Sequence, residues 1–257
     1  MTIQVVVPCY NEGHRWDSDY WRELLDLSGF RWIFVDDGSQ DNTLDVATAV
    51  CSNTNSSVLS LGVNAGKSEA VRAGMLQAIK TSQPSDIVGF MDADGAFARY
   101  DIERLGDLFC EMRSASEPFD ALWSSRVALA GRSIDRSASR HYMGRIAATF
   151  LSWRDPSVPY DTQSGFKLFK PSVEFSRTLQ APFQTRWLFE MEMLTRFQVE
   201  NGRPMKVWEE PLLSWWDVPG SKVSAREVLR IGREILTVKK SSRKHLGDKT
   251  EIRGSGE

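Results

Sequence analysis

Apolar residues in the first half of the chain fall into short, nearly unbroken runs separated by stretches of helical spacing. The runs are "IQVVVPCY", "FRWIFVDD", "SSVLSLG", "DIVGFMDAD" and "FDALWSS". Runs without polar alternation suit strands covered on both faces. Between them the spacing predicts helices over Asp17–Leu27, Asp41–Cys51, Gly66–Thr81 and Tyr100–Ala115. This βαβα order predicts an α/β fold: a doubly wound, mainly parallel sheet with helices on both faces. The second half is less regular. Residues 136–153 read as a helix with basic and apolar faces, "SGFKLFK" as a strand, "TRWLFEMEMLTRF" as a helix and "PMKVWEEPLLSWW" as an extended segment. Residues 224–240 suggest a last helix. No internal repeat or linker divides the chain, so residues 1–240 read as one domain and 241–257 as a polar, disordered tail.

In open α/β sheets ligands bind beyond the carboxyl ends of the strands. Here "PCYNE" ends the first run, "DDGS" the second, "NAGKS" follows the third and "DADGA" ends the fourth. Asp-Gly is common turn chemistry, and Asp41 or Asn42 can cap a helix. Independent turns do not explain why the acidic residues gather on one edge, whereas a single binding cleft does.

Totals narrow the class. The chain has 257 residues, long enough for a substantial core, with 32 basic and 34 acidic side chains and a net charge of −2. That balance argues against a nucleic-acid partner. The three cysteines, Cys9, Cys51 and Cys110, lack metal-site spacing and suggest reduced thiols and a cytoplasmic location. Asn55-Ser56-Ser57 fits a glycosylation pattern, but nothing else points to secretion. The chain opens on a strand-like segment without a basic leader, and no window has the apolar length of a membrane span. The expectation is a soluble protein, or one that is peripheral on the cytoplasmic face of a membrane.

Asp92 and Asp94, with Ala93 between them, stand where a buried strand becomes a loop and offer hard oxygen ligands to a cation such as Mg2+ or Mn2+. An EF-hand is excluded because its third ligand position is Ala96. "GVNAGKS" is not a P-loop, since three residues rather than four separate Gly62 from Gly66. Gly66 and Lys67 still suit a diphosphate at a helix N-terminus.

Taken in order, "VVVPCYNE", "FVDDGSQDNT", "NAGKSEAVRAGM" and "MDADGA" resemble the family-2 glycosyltransferases of the Rossmann-like glycosyltransferase A-type fold. "SSR" at 124–126, "YDTQSGFKLF" at 160–169, "RWLFEMEML" at 186–194 and "VPGSKV" at 218–223 extend the resemblance over residues 3–240. The full set looks most like dolichyl-phosphate glucose synthases, and more distantly like dolichyl-phosphate mannose synthases. The resemblance implies an inverting, metal-dependent transfer of a hexose from a nucleotide-sugar donor, UDP-glucose, to a polyprenyl or dolichyl phosphate. It places Pro8, Tyr10, Glu12 and Asp37 around the nucleoside, with Asp37 accepting from the base. Asp92 and Asp94 would hold the metal, and Lys67, Arg126 and Lys222 would face phosphates. Asp161 and Gln163 would stand near the transferred sugar, and Glu190 or Glu192, beside Trp187, at the acceptor. Trp187 and Phe189 also read as core at their helical spacing. Arg136, Arg140 and His141 read equally as an acceptor-phosphate site or as a solvated helix face.

A phosphate acceptor needs no general base, whereas a hydroxyl acceptor does. The alternatives are a soluble family-2 enzyme acting on a sugar or small-molecule hydroxyl, one using GDP-mannose, or a non-catalytic nucleotide-sugar-binding protein, which the intact Asp92 and Asp94 pair argues against. The glucose synthases usually carry a membrane-spanning segment that this sequence does not show. Residues 222–246 hold eight Lys or Arg against two Glu, with Val228, Ile231, Ile235 and Val238 at helical spacing. The stripe packs on the protein's own core or lies on an anionic membrane surface, and both hold if only the end from Lys239 onward meets the membrane.

Overall fold

The computed structural model describes residues 1–115, 119–135, 158–216 and Glu234. Lys222, the helices expected over 136–153 and 224–240, Arg136, Arg140, His141 and the tail lie outside the described residues, as does the basic 222–246 stretch except Glu234.

Seven strands form one sheet: β1 (Ile3–Cys9), β2 (Phe30–Asp36), β3 (Ser57–Ser60), β4 (Ile87–Met91), β5 (Ala121–Ser125), β7 (Phe166–Phe169) and β8 (Val207–Pro211). Their order is β3-β2-β1-β4-β7-β5-β8, and β6 (Ser133–Asp135) pairs with β9 (Ser214–Trp216) in a small second sheet. Every neighbouring pair in the large sheet is parallel except those made by β7, which runs antiparallel to both β4 and β5. The expected mainly parallel sheet is present, with one reversed strand inside it. That reversal brings the residues before β7 to the edge where β4 ends, since Phe166 pairs with Met91.

The helices are α1 (Ser18–Leu25), α2 (Thr43–Cys51), α3 (Lys67–Thr81), α4 (Arg99–Ser114), α5 (Val173–Thr178) and α6 (Phe189–Asn201). Successive strand residues feed two cores, which is why the strands are apolar throughout. Val5, Val7, Trp32 and Phe34 join Trp21 and Leu24 of α1 and Ile102, Leu105 and Phe109 of α4. Val6, Ile33, Val35 and Phe90 join Val71 and Met75 of α3 and Phe189, Met193 and Phe197 of α6 on the other face. Gly74 lets α3 approach closely, because a Cβ there would stand 2.4 Å from Val6.

Local capping follows the sequence only in part. Asp17 caps α1 by accepting from the Asp19 and Tyr20 amides. At α2 the Asn42 side chain makes no capping bond, and the Asp41 carboxylate accepts from Thr43 instead. α6 begins later than the apolar pattern suggests, because the backbone amides of residues 184–188 are taken by carboxylates from outside that segment. It ends at Gly202, whose φ of 69° is a left-handed cap. No helix among the described residues is long and apolar enough to cross a membrane.

Candidate active site

The loops after β1 and β2 are stapled together. The Asn11 amide donates to Ser39 Oγ at 3.0 Å, Gln40 to Asn11 Oδ1 at 2.9 Å, Glu12 to Thr43 Oγ1 at 2.7 Å and Gly13 to Asp41 at 3.0 Å. Pro8 is half-buried at the end of β1, and Tyr10 follows it with 41% of its surface exposed. Glu12 is buried and pairs with Arg15, whose guanidinium donates to Oε1 at 2.6 Å.

Asp36, which ends β2, and Asp37, which follows it, have distinct jobs. Asp36 accepts from the Ser39 amide and the Ser60 hydroxyl. Asp37, only 2% exposed, accepts from the Ala65 amide at 2.8 Å and the Gly66 amide at 2.7 Å. It thereby braces the turn that starts α3, acting as a cap supplied by another loop. Gly38, at φ 69°, is required beneath this turn, because a Cβ would stand 2.7 Å from the backbone of Val63 and Asn64.

Asp37 therefore fixes Lys67, the first residue of α3, whose Nζ lies 2.6 Å from Asp92 Oδ1. Burial opposes the Lys67 charge, but Asp92 and Glu190 outweigh it and lift its pKa. Burial and then Asp92 push the Asp94 carboxyl above its ordinary range, with Lys67 and Arg15 opposing. Ala93 is half-buried between the two carboxylates, and Asp94 also caps the Ala96 amide at 3.2 Å. The Asp92 amide donates to the Gly165 carbonyl at 3.1 Å, and its carboxylate lies where a side chain at 165 would be.

Asp92 and Asp94 both follow β4, and burial, then Asp92, raises the Asp94 carboxyl, a setting that fits a divalent cation. No group of three or more His, Cys, Asp or Glu among the described residues forms a complete cage. Asp92 and Asp94 thus suit Mg2+ or Mn2+, which bind through one or two carboxylates together with substrate phosphates and water.

Reversal of β7 adds the second wall. Asp161 is buried and grips Arg126 at 2.7 and 2.8 Å, while the Asp161 and Tyr160 amides donate to Glu209. Arg126 also lies over the Trp215 ring, 5.2 Å from its centroid. The charge of Arg126 is therefore shared with Asp161. Gln163 is half-buried, and its Nε2 has no hydrogen-bond partner among the described residues.

Behind Lys67 lies a fully buried lysine that the sequence pattern did not single out. Lys167 Nζ stands 3.6 Å from Glu190 Oε1, donates to the Ser164 carbonyl, and sits 4.8 Å from the Trp123 ring centroid and 5.2 Å from that of Phe90. Burial pushes Glu190 up and Lys167 down, each partly offset by the other. Glu190 Oε2 has no hydrogen-bond partner among the described residues. Glu192 differs: it accepts from the Gln184 and Thr185 amides, the Thr185 hydroxyl and Arg196. The structure thus brings Glu190 to Lys67 and Asp92 and assigns Glu192 to holding its own loop. Trp187 is half-buried and Phe189 lies in the core. "SGFKLFK" reads only as a strand, and the four buried neighbours of Lys167 show that its side chain lies inside.

The chain is similar to known proteins over most of its length. Residues 4–116 match the family model described as glycosyl transferase family 2. The dolichyl-phosphate beta-glucosyltransferase of Mus musculus is 31% identical over 252 residues, covering 92% of this chain and 74% of the relative. Those of Drosophila melanogaster and Homo sapiens are 30% and 29% identical, covering 93% and 92% of this chain and 74% of each relative. Among solved structures, glucosyl-3-phosphoglycerate synthase from Mycobacterium tuberculosis, in complex with Mn2+, UDP and glucosyl-3-phosphoglycerate, superposes with a TM-score of 0.65 at 21% identity. It covers 94% of this chain and 79% of its own, a likeness of fold.

Proposed function

The chain belongs to glycosyl transferase family 2, and from that premise we propose that it transfers glucose from UDP-glucose to a dolichyl or polyprenyl phosphate, inverting the anomeric carbon. It is a nucleotide-sugar glycosyltransferase with a glycosyltransferase A-type sheet. The observation that carries the acceptor reading is that relatives named as dolichyl-phosphate glucosyltransferases align over nine-tenths of this chain, including its less regular second half.

In this reading Pro8, Tyr10, Glu12 and the turn braced by Asp37 wall the nucleoside end. Lys67, at the start of α3, faces the diphosphate with one ammonium and the first amides of the helix. A phosphate oxygen of the acceptor attacks the anomeric carbon as the bond to the UDP oxygen breaks, and the bonding pair leaves with UDP. Negative charge grows on the leaving diphosphate, so fixed positive groups aimed there lower the barrier. Magnesium or manganese held by Asp92 and Asp94 would supply further positive charge at the same oxygens. Asp161 orients Arg126 toward the sugar and acceptor side, next to Gln163. Lys222, outside the described residues, is assigned to a phosphate by its place in the "GSK" motif. The basic end from Lys239 onward brings the enzyme to an anionic membrane surface where the lipid acceptor resides.

Glu190 favours a second reading, transfer to a sugar or small-molecule hydroxyl. A buried carboxyl with a raised pKa and an unpartnered oxygen is suited to general-base work. One experiment separates them: UDP and GDP sugars are screened with dolichyl phosphate or hydroxyl acceptors, with Mg2+ or Mn2+ and with chelator. UDP release that requires both UDP-glucose and dolichyl phosphate supports the proposal. Transfer only to hydroxyl acceptors, or only from GDP-mannose, overturns it.

A further inference from the structure

One buried carboxylate ties residue 234 to the active site. Glu234 is 7% exposed. Its Oε1 accepts from the Arg186 amide at 3.2 Å, and its Oε2 accepts from the Trp187 and Leu188 amides at 3.0 Å each. These residues lead into α6 at Phe189, where amides find no partner within the helix. Leu188, at the capping position, contributes no side-chain bond. Glu192 takes the two preceding amides, of Gln184 and Thr185. Five consecutive amides are therefore held by two carboxylates, one local and one remote.

The segment held by Glu234 touches the donor side of the site. Arg186 places its Nε, Cδ and Cζ 3.7 to 3.8 Å from where a Cβ would stand on Gly66, the residue before Lys67. Two residues beyond Leu188, Glu190 meets Lys167. We propose that Glu234 is a positioning residue for donor binding: it holds residues 186–188 so that Arg186 lies against the Gly66–Lys67 turn and Glu190 lies beside Lys167. The inference rests on the proposed function only in placing a nucleoside diphosphate at Lys67.

The chemistry of the bond selects the variants. Three donors need two acceptor oxygens, and both are present in a carboxylate. Glu234→Gln keeps the size but turns an NH2 group toward amide hydrogens, whereas Glu234→Asp keeps both acceptors on a shorter arm. Binding of UDP and GDP is measured by calorimetry, alongside kcat and KM for the sugar donor that the wild type uses. Circular dichroism confirms that each variant is folded at the assay temperature. The expected result is UDP affinity lower by roughly tenfold or more in Glu234→Gln, the scale of one charge-assisted hydrogen bond lost. Glu234→Asp should bind better than Glu234→Gln, the reverse of what simple packing demands. Glu234→Gln combined with Arg186→Ala should be no weaker than the weaker single variant, because both act through one contact. Unchanged nucleotide affinity and KM in folded Glu234→Gln, or additive losses in the double variant, overturns the inference. A wild type that prefers GDP or another sugar overturns the proposed donor and leaves the comparison of variants intact. A wild type that binds neither nucleotide overturns both.

Discussion

Gly165→Ala tests the geometry of the acidic pair most directly, because the change adds one methyl group and removes no chemistry. A Cβ at 165 would stand 2.5 Å from both Cγ and Oδ2 of Asp92 and 3.0 Å from its Cβ. Ordinary contact begins near 3.4 Å, so Asp92 must retreat by about 0.9 Å, and overpacking of this kind costs about 1–3 kcal/mol. At roughly 2–4 °C per kcal/mol for a chain of this size, the melting temperature should fall by roughly 2–12 °C. Asp92 carries the Lys67 ion pair, and a displacement near 1 Å in a catalytic constellation can lower the rate roughly a hundredfold. The assay is UDP release per folded molecule, paired with thermal unfolding. Gly29→Ala is the control: Gly29 has φ 81° with nothing within 4 Å of a Cβ, so Ala there incurs only backbone strain, about 1–2 kcal/mol. It should lower the melting temperature and leave kcat intact. Wild-type kcat and stability in Gly165→Ala would refute the placement of Asp92, and equal loss of activity in both variants would refute its specificity.

Other tests address separate parts of the site. Asp94→Asn should retain the fold yet lower kcat by about a hundredfold or more through uncompensated diphosphate charge, and activity that survives excess chelator would argue against a metal at Asp92 and Asp94. Glu190→Gln should keep substantial activity toward a lipid phosphate, since that acceptor needs no base; abolished transfer with intact donor binding would favour a hydroxyl acceptor. Glu192→Gln should act mainly on stability, because its carboxylate holds the Gln184 and Thr185 amides and Arg196. Asp101 is fully buried and accepts from the Leu213 and Ser214 amides and Arg104, so Asp101→Ala should cost about 3–5 kcal/mol in denaturant unfolding; a loss below 1 kcal/mol would show these bonds to be dispensable. Binding to anionic vesicles at low salt should fall when Lys239, Lys240, Arg243 and Lys244 become Ser, and equal partitioning would remove the membrane role from the tail.

Much of the acidic edge of the sheet is legible along the chain because its geometry is local. Apolar runs without alternation specify strands buried on both faces, and the parallel order sends each strand's carboxyl end to one edge. "DDGS", "NAGKS" and "DADGA" therefore fall together on that edge. What the sequence by itself could not supply was the direction of "GFKLF", since strand periodicity is the same whichever way the strand runs. Only pairing with β4 and β5 reverses it, and that reversal carries Asp161, Gln163 and Gly165 to the edge where β4 ends. Tertiary contacts also separated Glu190 from Glu192, two residues apart on one helix: Glu190 faces Lys167, while Glu192 turns back to its own loop. Asp37 reads along the chain only as the residue after a strand, and the tertiary structure adds that it braces the Ala65–Gly66 turn, a partnership spanning 28 residues to Ala65. Lys167 and Glu234 were hidden for the same reason. Their charges matter through partners remote in the chain, and burial of an ion or the capping of a helix by a distant carboxylate leaves no periodic trace in the residues around it.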